Sequence, residues 1–299
     1  MPGPGNTYRG RFAPSPTGPL HPGSLIAALA SYLHARHRQG QWLVRMEDLD
    51  PPREQPGAAD AILQSLRDHG LYWDSEVLYQ SNRSNAYDKA LTYLASKGAM
   101  FRCDCTRAML GPGGSCRGRC AGRQEEVSKP WALRVAVSAG TGTSFTDEIQ
   151  GRQQELLPPE LPDFTLLRKD GLYAYQLAVV VDDAFQGISH VVRGSDLLDS
   201  TGRQIYLQQQ LELPQLEYCH LPVITNEDGQ KFSKQNHAPA LLAAEAAEAA
   251  DNLRRALEFL QQPQPPAELR HCQQILEFAT RYWSTARVPS VMIIPAGDC

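Results

Sequence analysis

The sequence has no long apolar segment, no leader of secretory type and no excess of positive charge. Its longest apolar runs, such as residues 177–181, are far too short to cross a membrane. Residues 1–6 contain neither a basic region nor an apolar core, which excludes a secretory signal. The formal net charge is -4, so any surface for nucleic acid has to be a local basic patch. We therefore expect a soluble, cytoplasmic, globular protein without membrane contacts, folded as one large or two modest domains.

Cysteine is sparse outside one region, since four of the seven cysteines fall within a single short segment. They are Cys103, Cys105, Cys116 and Cys120, and a Gly/Pro-rich loop at 111–114 separates the two pairs. In an intracellular protein, such clustering favours a metal site over disulfides. Four thiolates match a closed tetrahedral zinc site, which would stabilise this loop-rich segment. Four free or reactive thiols are the alternative, because the C-x-C spacing is tighter than the usual C-x2-C.

The rest of the chain is organised around a strand, a turn and a helix near the N-terminus. Apolar residues predict a strand at 8–12, and leucines repeating every four residues predict a helix at 24–33. A helix that begins after a Gly/Pro turn presents free backbone N–H groups to an anion. Gly23 allows close approach of a ligand, and His21 can donate to a phosphate oxygen. The pattern predicts a phosphate site, with a surface turn and a structural histidine as the alternative.

Acidic residues follow the second predicted strand. Residues 42–46 predict this strand, which gives the start of a parallel α/β sheet. Ligands of such sheets bind beyond the carboxyl ends of the strands. Glu47 directly follows the strand, and its carboxylate suits a substrate ammonium group. For Asp48 and Asp50, a solvated acidic loop is an equally good interpretation.

The second half of the chain contains further predicted strands. Alternating apolar residues predict strands at 131–137 and 163–168, and a turn at 169–171 predicts a hairpin leading into another strand at 172–181. A strand over 188–192 ends at Arg193, whose guanidinium can bind a carboxylate through two hydrogen bonds. Apolar periodicity predicts helices at 57–70, 82–97, 241–260 and 267–283.

Two lysines flank a serine in the segment Lys231-Phe232-Ser233-Lys234. Mobile lysines can stabilise the negative charge that moves to a leaving pyrophosphate. Loop lysines more often face solvent, so this segment gains weight only from the phosphate site predicted upstream.

Residues 16–24, PTGPLHPGS, and this lysine segment resemble the HIGH and KMSKS motifs of class I aminoacyl-tRNA synthetases, in their glutamyl and glutaminyl form. The resemblance covers residues 8–239, and Gln235 departs from the usual Ser or Arg of the second motif. It implies an α/β fold with a Rossmann-like parallel-sheet catalytic domain. Its two halves would be 1–100 and 163–225, separated by a zinc-bearing insertion at 101–162. The remainder, 226–299, would hold the KMSKS-like loop and a short helical region without an anticodon-binding domain.

The resemblance also implies roles for individual residues. Glutamate would contact Arg11, Ala13, Ser15, Glu47, Tyr175 and Arg193. ATP, with Mg²⁺ on its phosphates, would contact His21, Gly23, Lys231, Ser233 and Lys234, of which His21 and Lys234 would be catalytic. A structural Zn²⁺ would be held by Cys103, Cys105, Cys116 and Cys120, and Cys116 is the weakest match of the four. For Tyr175, core packing is the alternative role.

The implied function is ATP-dependent activation of L-glutamate to glutamyl-adenylate, followed by transfer of glutamate to queuosine in the anticodon loop of tRNA(Asp), by a monomer. About 65 residues follow Lys234, too few for a large anticodon-reading domain. Three alternatives stay open. These are a truncated ordinary glutamyl-tRNA synthetase that charges a tRNA 3′ end, a nucleotidyltransferase of the same superfamily, and a non-catalytic RNA-binding module.

Overall fold

Parallel strands form the centre of the computed structural model, which describes residues 8–137, 142–154, 163–225, 241 and 246–295. The predicted strands at 8–12, 42–46, 131–137, 163–168 and 188–192 are confirmed within a few residues. In chain order the strands are β1 (Arg9–Phe12), β2 (Gln41–Met46), β3 (Leu78–Tyr79), β4 (Met100–Cys103), β5 (Ala132–Ala136), β6 (Phe145–Asp147), β7 (Gly151–Gln153), β8 (Asp163–Leu167), β9 (His190–Gly194), β10 (Glu217–Leu221), β11 (Val223–Thr225) and β12 (Ile293–Pro295).

Helices pack around these strands, and each helix predicted from apolar periodicity is present in the described part of the chain. No helix among the described residues has the length and apolar character that a membrane crossing requires. The α-helices are α1 (Pro22–His37), α2 (Ala58–Asp68), α3 (Ser84–Ser96), α4 (Tyr175–Phe185), α5 (Leu198–Gln210), α6 (Ala246–Phe259) and α7 (Cys272–Tyr282).

Two groups of parallel strands lie side by side. Strand β2 pairs with β1 and β3, and strand β10 pairs with β9 and β6, all in parallel. A 2.9 Å hydrogen bond from the backbone N–H of Ser189 to the carbonyl oxygen of Arg9 joins the two groups. The carboxyl ends of β1, β2 and β9 therefore open toward the same region, as expected for parallel strands.

Helix α1 is central to the largest apolar core of the described residues. Its leucines at 25, 29 and 33 are buried, and so are alanines on its other faces. A helix covered on nearly all sides needs no continuous polar face, which explains why residues 25–33 of this helix are mostly apolar. Because it packs between the sheet and the C-terminal helices α6 and α7, its N-terminus is held rigidly at the edge of the sheet.

A separate antiparallel sheet supports the cysteine-rich segment. Strands β4 and β8 flank β5, and the chain between β4 and β5 holds three of the four clustered cysteines. Strands β6 and β7 follow within 101–162, and β6 returns to the parallel group beside β10. Along the sequence, strands of the antiparallel sheet therefore alternate with strands of the parallel groups.

The prediction of a strand over 172–181 is wrong, because Tyr175–Phe185 forms helix α4. The turn at 169–171 is present, with a 2.8 Å hydrogen bond from Arg168 N to the Leu172 carbonyl, but no strand follows it. A short apolar run fits a buried helix as well as a buried strand. Asp182 and Asp183 favour the helix over a strand. In the helix their buried carboxylates accept hydrogen bonds from Gln80 and Arg45, respectively.

The last described strand closes one edge of the molecule. Strand β12 pairs in parallel with β11, and Val223 N donates to the Met292 carbonyl oxygen at 2.9 Å. The segment after β11 contains Lys231, Ser233 and Lys234, which lie outside the described residues.

Candidate active site

A cleft of about 860 Å³ opens beyond the carboxyl ends of β1, β2 and β9, beside the start of α1. Within the described part of the chain, every residue predicted to bind glutamate or ATP lines this cleft. These residues are Arg11, Ala13, Ser15, His21, Gly23, Glu47, Tyr175 and Arg193. The structure therefore brings together residues from both halves of the predicted catalytic domain.

His21 is the N-cap of helix α1 and lines the cleft. Its Nδ1 accepts a 3.3 Å hydrogen bond from Ser24 N, so its side chain caps the helix. In a neutral ring the proton then lies on Nε2, which is a hydrogen-bond donor. At Gly23 an added Cβ would lie 3.1 Å from the His21 ring and 3.2 Å from Ile224 Cγ2, so a side chain there would crowd the cap. This arrangement suits the oxygens of a phosphate.

Four charged side chains of alternating sign form a row, in which Arg11 and Glu47 line the cleft and Asp183 and Arg45 lie behind them. Asp183 accepts from Arg11 Nε at 3.0 Å and from Arg45 at 2.7 Å, both on its Oδ1. Arg45 also reaches Glu47 at 3.3 Å. Arg45 is fully buried, and Arg11 and Asp183 are only 3% and 4% exposed. Because the signs alternate, no charge in this row is buried without a partner.

The pKa values of this row follow from burial and from the neighbouring charges. Burial acts to raise the pKa of Asp183, but Arg11 and Arg45 outweigh burial and hold that pKa below its ordinary value. Burial raises the pKa of Glu47, although Arg45 and Arg11 act in the opposite direction. A substrate ammonium group beside Glu47 would favour its ionised form.

Arg193 and Tyr175 form the opposite wall of the cleft. Arg193 NH1 lies 3.3 Å from the Tyr175 hydroxyl, and both side chains are largely buried. Burial raises the pKa of Tyr175, so its hydroxyl keeps its proton and can donate. Tyr175 therefore combines core packing with a polar atom at the cleft.

The residues that support the cleft-lining side chains through hydrogen bonds were not predicted from the sequence. Asp183 supports Arg11, and Gln80 lines the cleft while its amide donates to Asp182 at 2.9 Å. The available signal was the pair of acids that ends the apolar run 177–181, since acids in a buried run require buried partners. Asp48 is structural, because it accepts 2.9 and 2.6 Å hydrogen bonds from the backbone and hydroxyl of Ser81.

The cysteine cluster lies apart from the cleft, at the end of β4. The sulfur atoms of Cys103, Cys105 and Cys120 all lie within 4.8 Å of one another, and those of Cys105 and Cys120 are 3.5 Å apart. Cys116 is also buried, but its sulfur is outside this group of three. Asp163 holds the loop of Cys116 by accepting from its backbone N–H at 3.0 Å.

The three grouped sulfurs have the donor type and spacing of ligands in a tetrahedral zinc site, which takes a fourth ligand as well. Zinc–sulfur bonds of about 2.3 Å separate neighbouring sulfurs by roughly 3.8 Å, close to the spacing seen here. Burial raises the pKa of the Cys103 and Cys116 thiols, whereas hydrogen bonds with Cys105 and the backbone of Asp104 outweigh burial at Cys120 and lower its pKa, so among these three thiols Cys120 alone is shifted toward the thiolate. A lowered thiol pKa favours the thiolate, which is the form that binds metal.

Comparison with known proteins places the chain among tRNA synthetases. Residues 7–112 and 116–274 match the family described as tRNA synthetases class I (E and Q), catalytic domain. The glutamate-tRNA synthetase of Elizabethkingia anophelis, a solved structure, has the same fold, with a TM-score of 0.80 at 22% identity. That match covers 98% of this chain and 69% of that chain.

Curated relatives are much more similar in sequence. The glutamyl-Q tRNA(Asp) synthetase of Dechloromonas aromatica is 50% identical, over 97% of this chain and 99% of that protein. The protein of the same name from Chromobacterium violaceum is 48% identical, over 95% of this chain and 96% of its own length. These matches show that the chain belongs to the class I tRNA synthetases of the E and Q type, in the family of the glutamyl-Q tRNA(Asp) synthetases.

Proposed function

We propose that the chain activates L-glutamate with ATP and transfers the glutamyl group to queuosine in the anticodon loop of tRNA(Asp). One observation carries the amino-acid assignment. Arg11, Arg193 and Glu47 line one cleft, and glutamate has two carboxylates and one ammonium group. Two guanidinium groups and one carboxylate match these three charges in number and in sign.

The nucleotide belongs at the start of α1. His21 and Gly23 would contact the phosphates of ATP, with Mg²⁺ shared among the phosphate oxygens. The sequence adds Lys231, Ser233 and Lys234, which follow β11 in the chain, and Val223 and Ile224 of β11 line the cleft. In this proposal His21 and Lys234 stabilise the charge that develops on the phosphates.

The first reaction joins the two substrates. The α-carboxylate of glutamate attacks the α-phosphorus of ATP, the bond to the bridging oxygen breaks, and pyrophosphate leaves. The chain's contribution is to position the two reactants and to stabilise negative charge. In the second reaction a hydroxyl of queuosine attacks the mixed anhydride, which gives a glutamyl ester and AMP.

The curated relatives support queuosine as the acceptor. They are named glutamyl-Q tRNA(Asp) synthetases and are matched over nearly their whole length, whereas the glutamate-tRNA synthetase is matched over 69% of its length. Binding of the anticodon loop would depend on phosphate contacts and on its unpaired bases. With a net charge of -4, a local basic patch has to supply those contacts, so binding should weaken with salt.

Labelled glutamate tests the acceptor directly. The protein is incubated with ATP, labelled glutamate and tRNA(Asp) that contains or lacks queuosine, and the tRNA is then cut with nuclease. We expect the label on the anticodon fragment of queuosine-containing tRNA and none on the queuosine-free control. Label on the terminal adenosine of either tRNA would instead identify an ordinary synthetase that charges the 3′ end.

We also propose that Cys103, Cys105 and Cys120 hold a structural Zn²⁺, with Cys116 as the fourth ligand. When bound, the ion would cross-link the loop between β4 and β5, and no chemical step is assigned to it. Protein prepared without chelators should contain about one zinc per chain by elemental analysis. Cys105→Ser should lower this content, whereas Cys272→Ser should not, because Cys272 lies outside the cluster. Metal-free wild-type protein would refute the zinc proposal.

A further inference from the structure

The guanidinium of Arg193 is held from behind by three short hydrogen bonds. Its Nε donates to His220 Nε2 at 3.0 Å, its NH1 to Gln204 at 2.8 Å and its NH2 to the Thr201 hydroxyl at 2.8 Å. His220 and Thr201 are completely buried, and Gln204 is 2% exposed. None of these three partners lines the cleft.

The two remaining hydrogen bonds of Arg193 are longer and go to residues that line the cleft. NH1 lies 3.3 Å from the Tyr175 hydroxyl, and NH2 lies 3.4 Å from the Leu197 carbonyl oxygen. A guanidinium has five N–H groups, so all five are assigned. A substrate carboxylate can replace the two long contacts while the three short ones keep the plane of the guanidinium fixed.

His220 can accept from Arg193 only if its Nε2 has no proton. Asp147 enforces this state, because its Oδ2 lies 2.6 Å from His220 Nδ1, the nitrogen that must then donate. The Asp147 carboxylate is itself fixed, since its Oδ1 accepts from the backbone N–H groups of Ile149 and Gln150 at 3.0 and 2.9 Å. The side chains of Asp147 and His220 are both fully buried.

We propose that Asp147 and His220 are positioning residues that fix Arg193 in the orientation that binds a carboxylate of the amino-acid substrate. This inference rests on the proposed function, because it assumes that Arg193 contacts glutamate. The carboxylate of Asp147 sets the tautomer of His220, and that tautomer presents a lone pair to Arg193 Nε. If Nε2 carried a proton, two N–H groups would face each other across 3.0 Å, and the guanidinium would have to turn away.

A pair of amide substitutions at His220 separates its two hydrogen bonds. In His220→Gln the amide oxygen can take the place of Nε2 and still accept from Arg193. In His220→Asn the shorter amide can take the place of Nδ1, which keeps the bond to Asp147 and loses the bond to Arg193. Both variants remove the ring, and the thermal unfolding of each variant measures how much the packing of this buried site suffers.

Asp147→Asn provides a second, independent variant. Its amide oxygen should stay with the backbone N–H groups of Ile149 and Gln150, which leaves its NH2 group facing His220 Nδ1. Nδ1 must then accept, and the proton moves to Nε2, against Arg193. We therefore expect Asp147→Asn to act like His220→Asn, although residue 220 is unchanged.

The readout is ATP–pyrophosphate exchange by the full chain, with KM for glutamate, KM for ATP and kcat measured separately, and with thermal unfolding recorded for each variant. His220→Asn and Asp147→Asn should raise KM for glutamate about tenfold or more, as for the loss of one hydrogen bond to a charged group, with KM for ATP unchanged. His220→Gln should stay within about threefold of the wild type. If His220→Asn does not fold, Asp147→Asn tests the same prediction.

Two results would overturn the inference. If KM for glutamate is unchanged in His220→Asn and Asp147→Asn, or if all three variants lose activity equally together with thermal stability, Asp147 and His220 have only a structural role. If the wild-type protein exchanges no pyrophosphate with glutamate, either with or without tRNA(Asp), the proposed function itself fails and this inference fails with it. Wild-type activity distinguishes the two cases.

Discussion

Arg11→Ala is expected to lower kcat/KM for glutamate in pyrophosphate exchange by about 10³-fold, while exchange with glutamine, already weak, changes little. Among the described residues, the side chain of Arg11 donates one hydrogen bond, from Nε to Asp183. Its two terminal nitrogens are therefore available for a fork-shaped pair with the side-chain carboxylate of glutamate. Glutamine has no charge at that position and would leave the guanidinium undersatisfied, which is the basis for rejecting it.

The measurement compares both amino acids in wild-type protein and in three arginine variants. Arg67→Ala is the control, because Arg67 is exposed on α2 and does not line the cleft. Arg11→Lys should recover only part of the activity, since an ammonium group keeps the charge but not the fork. Comparable exchange with glutamine and glutamate in the wild-type protein would contradict this role of Arg11.

Asp183→Ala is expected to lower the free energy of unfolding by about 3–5 kcal/mol, the range for removing one partner of a buried ion pair. Asp183 is the shared acceptor of Arg11 and Arg45, so its loss leaves two largely buried guanidinium groups without this carboxylate. Urea unfolding measures the change. Asp170→Ala is the control, because Asp170 is half-exposed and its ion pair with Arg168 should contribute less than about 1 kcal/mol.

The effect of Asp183 should also depend on pH in one direction. Its pKa in the folded protein is lowered, against an unfolded value of about 3.9. The stabilisation is therefore fully present above the unfolded pKa and is lost as the pH falls through the folded pKa. The difference between wild type and Asp183→Ala should be constant between about pH 5 and 8 and shrink in stronger acid. A difference that grows in acid would contradict the ion-pair explanation.

Local signals explain which parts of the fold and site could be predicted. The strand before His21 and the helix after it were predictable because turn residues, the cap and the apolar repeat all lie within thirty residues. Glu47 could be placed at the cleft because it directly follows a strand of a parallel sheet. The roles of these residues stay predictions until substrates are tested.

Long-range partners explain what could not be predicted. Nothing near Asp183 in the sequence indicates that it pairs with Arg11 and Arg45, since these residues lie on strands far upstream. The same holds for Asp147 and His220, which meet only because β6 and β10 are neighbours in the sheet. The helix over Tyr175–Phe185 could not be told from a strand for the same reason, as its deciding contacts are tertiary.

The pairing of β11 with β12 has a consequence for biosynthesis. Val223 and Ile224 of β11 form the wall of the cleft beside Gly23, yet the partner of β11 is near residue 293. On a ribosome, which releases a chain from its N-terminus onward, the residues up to about 295 have to emerge before this wall can gain its partner strand. A nascent chain that already carries Arg11, His21, Glu47 and Arg193 therefore still lacks the strand that pairs with this wall of the cleft.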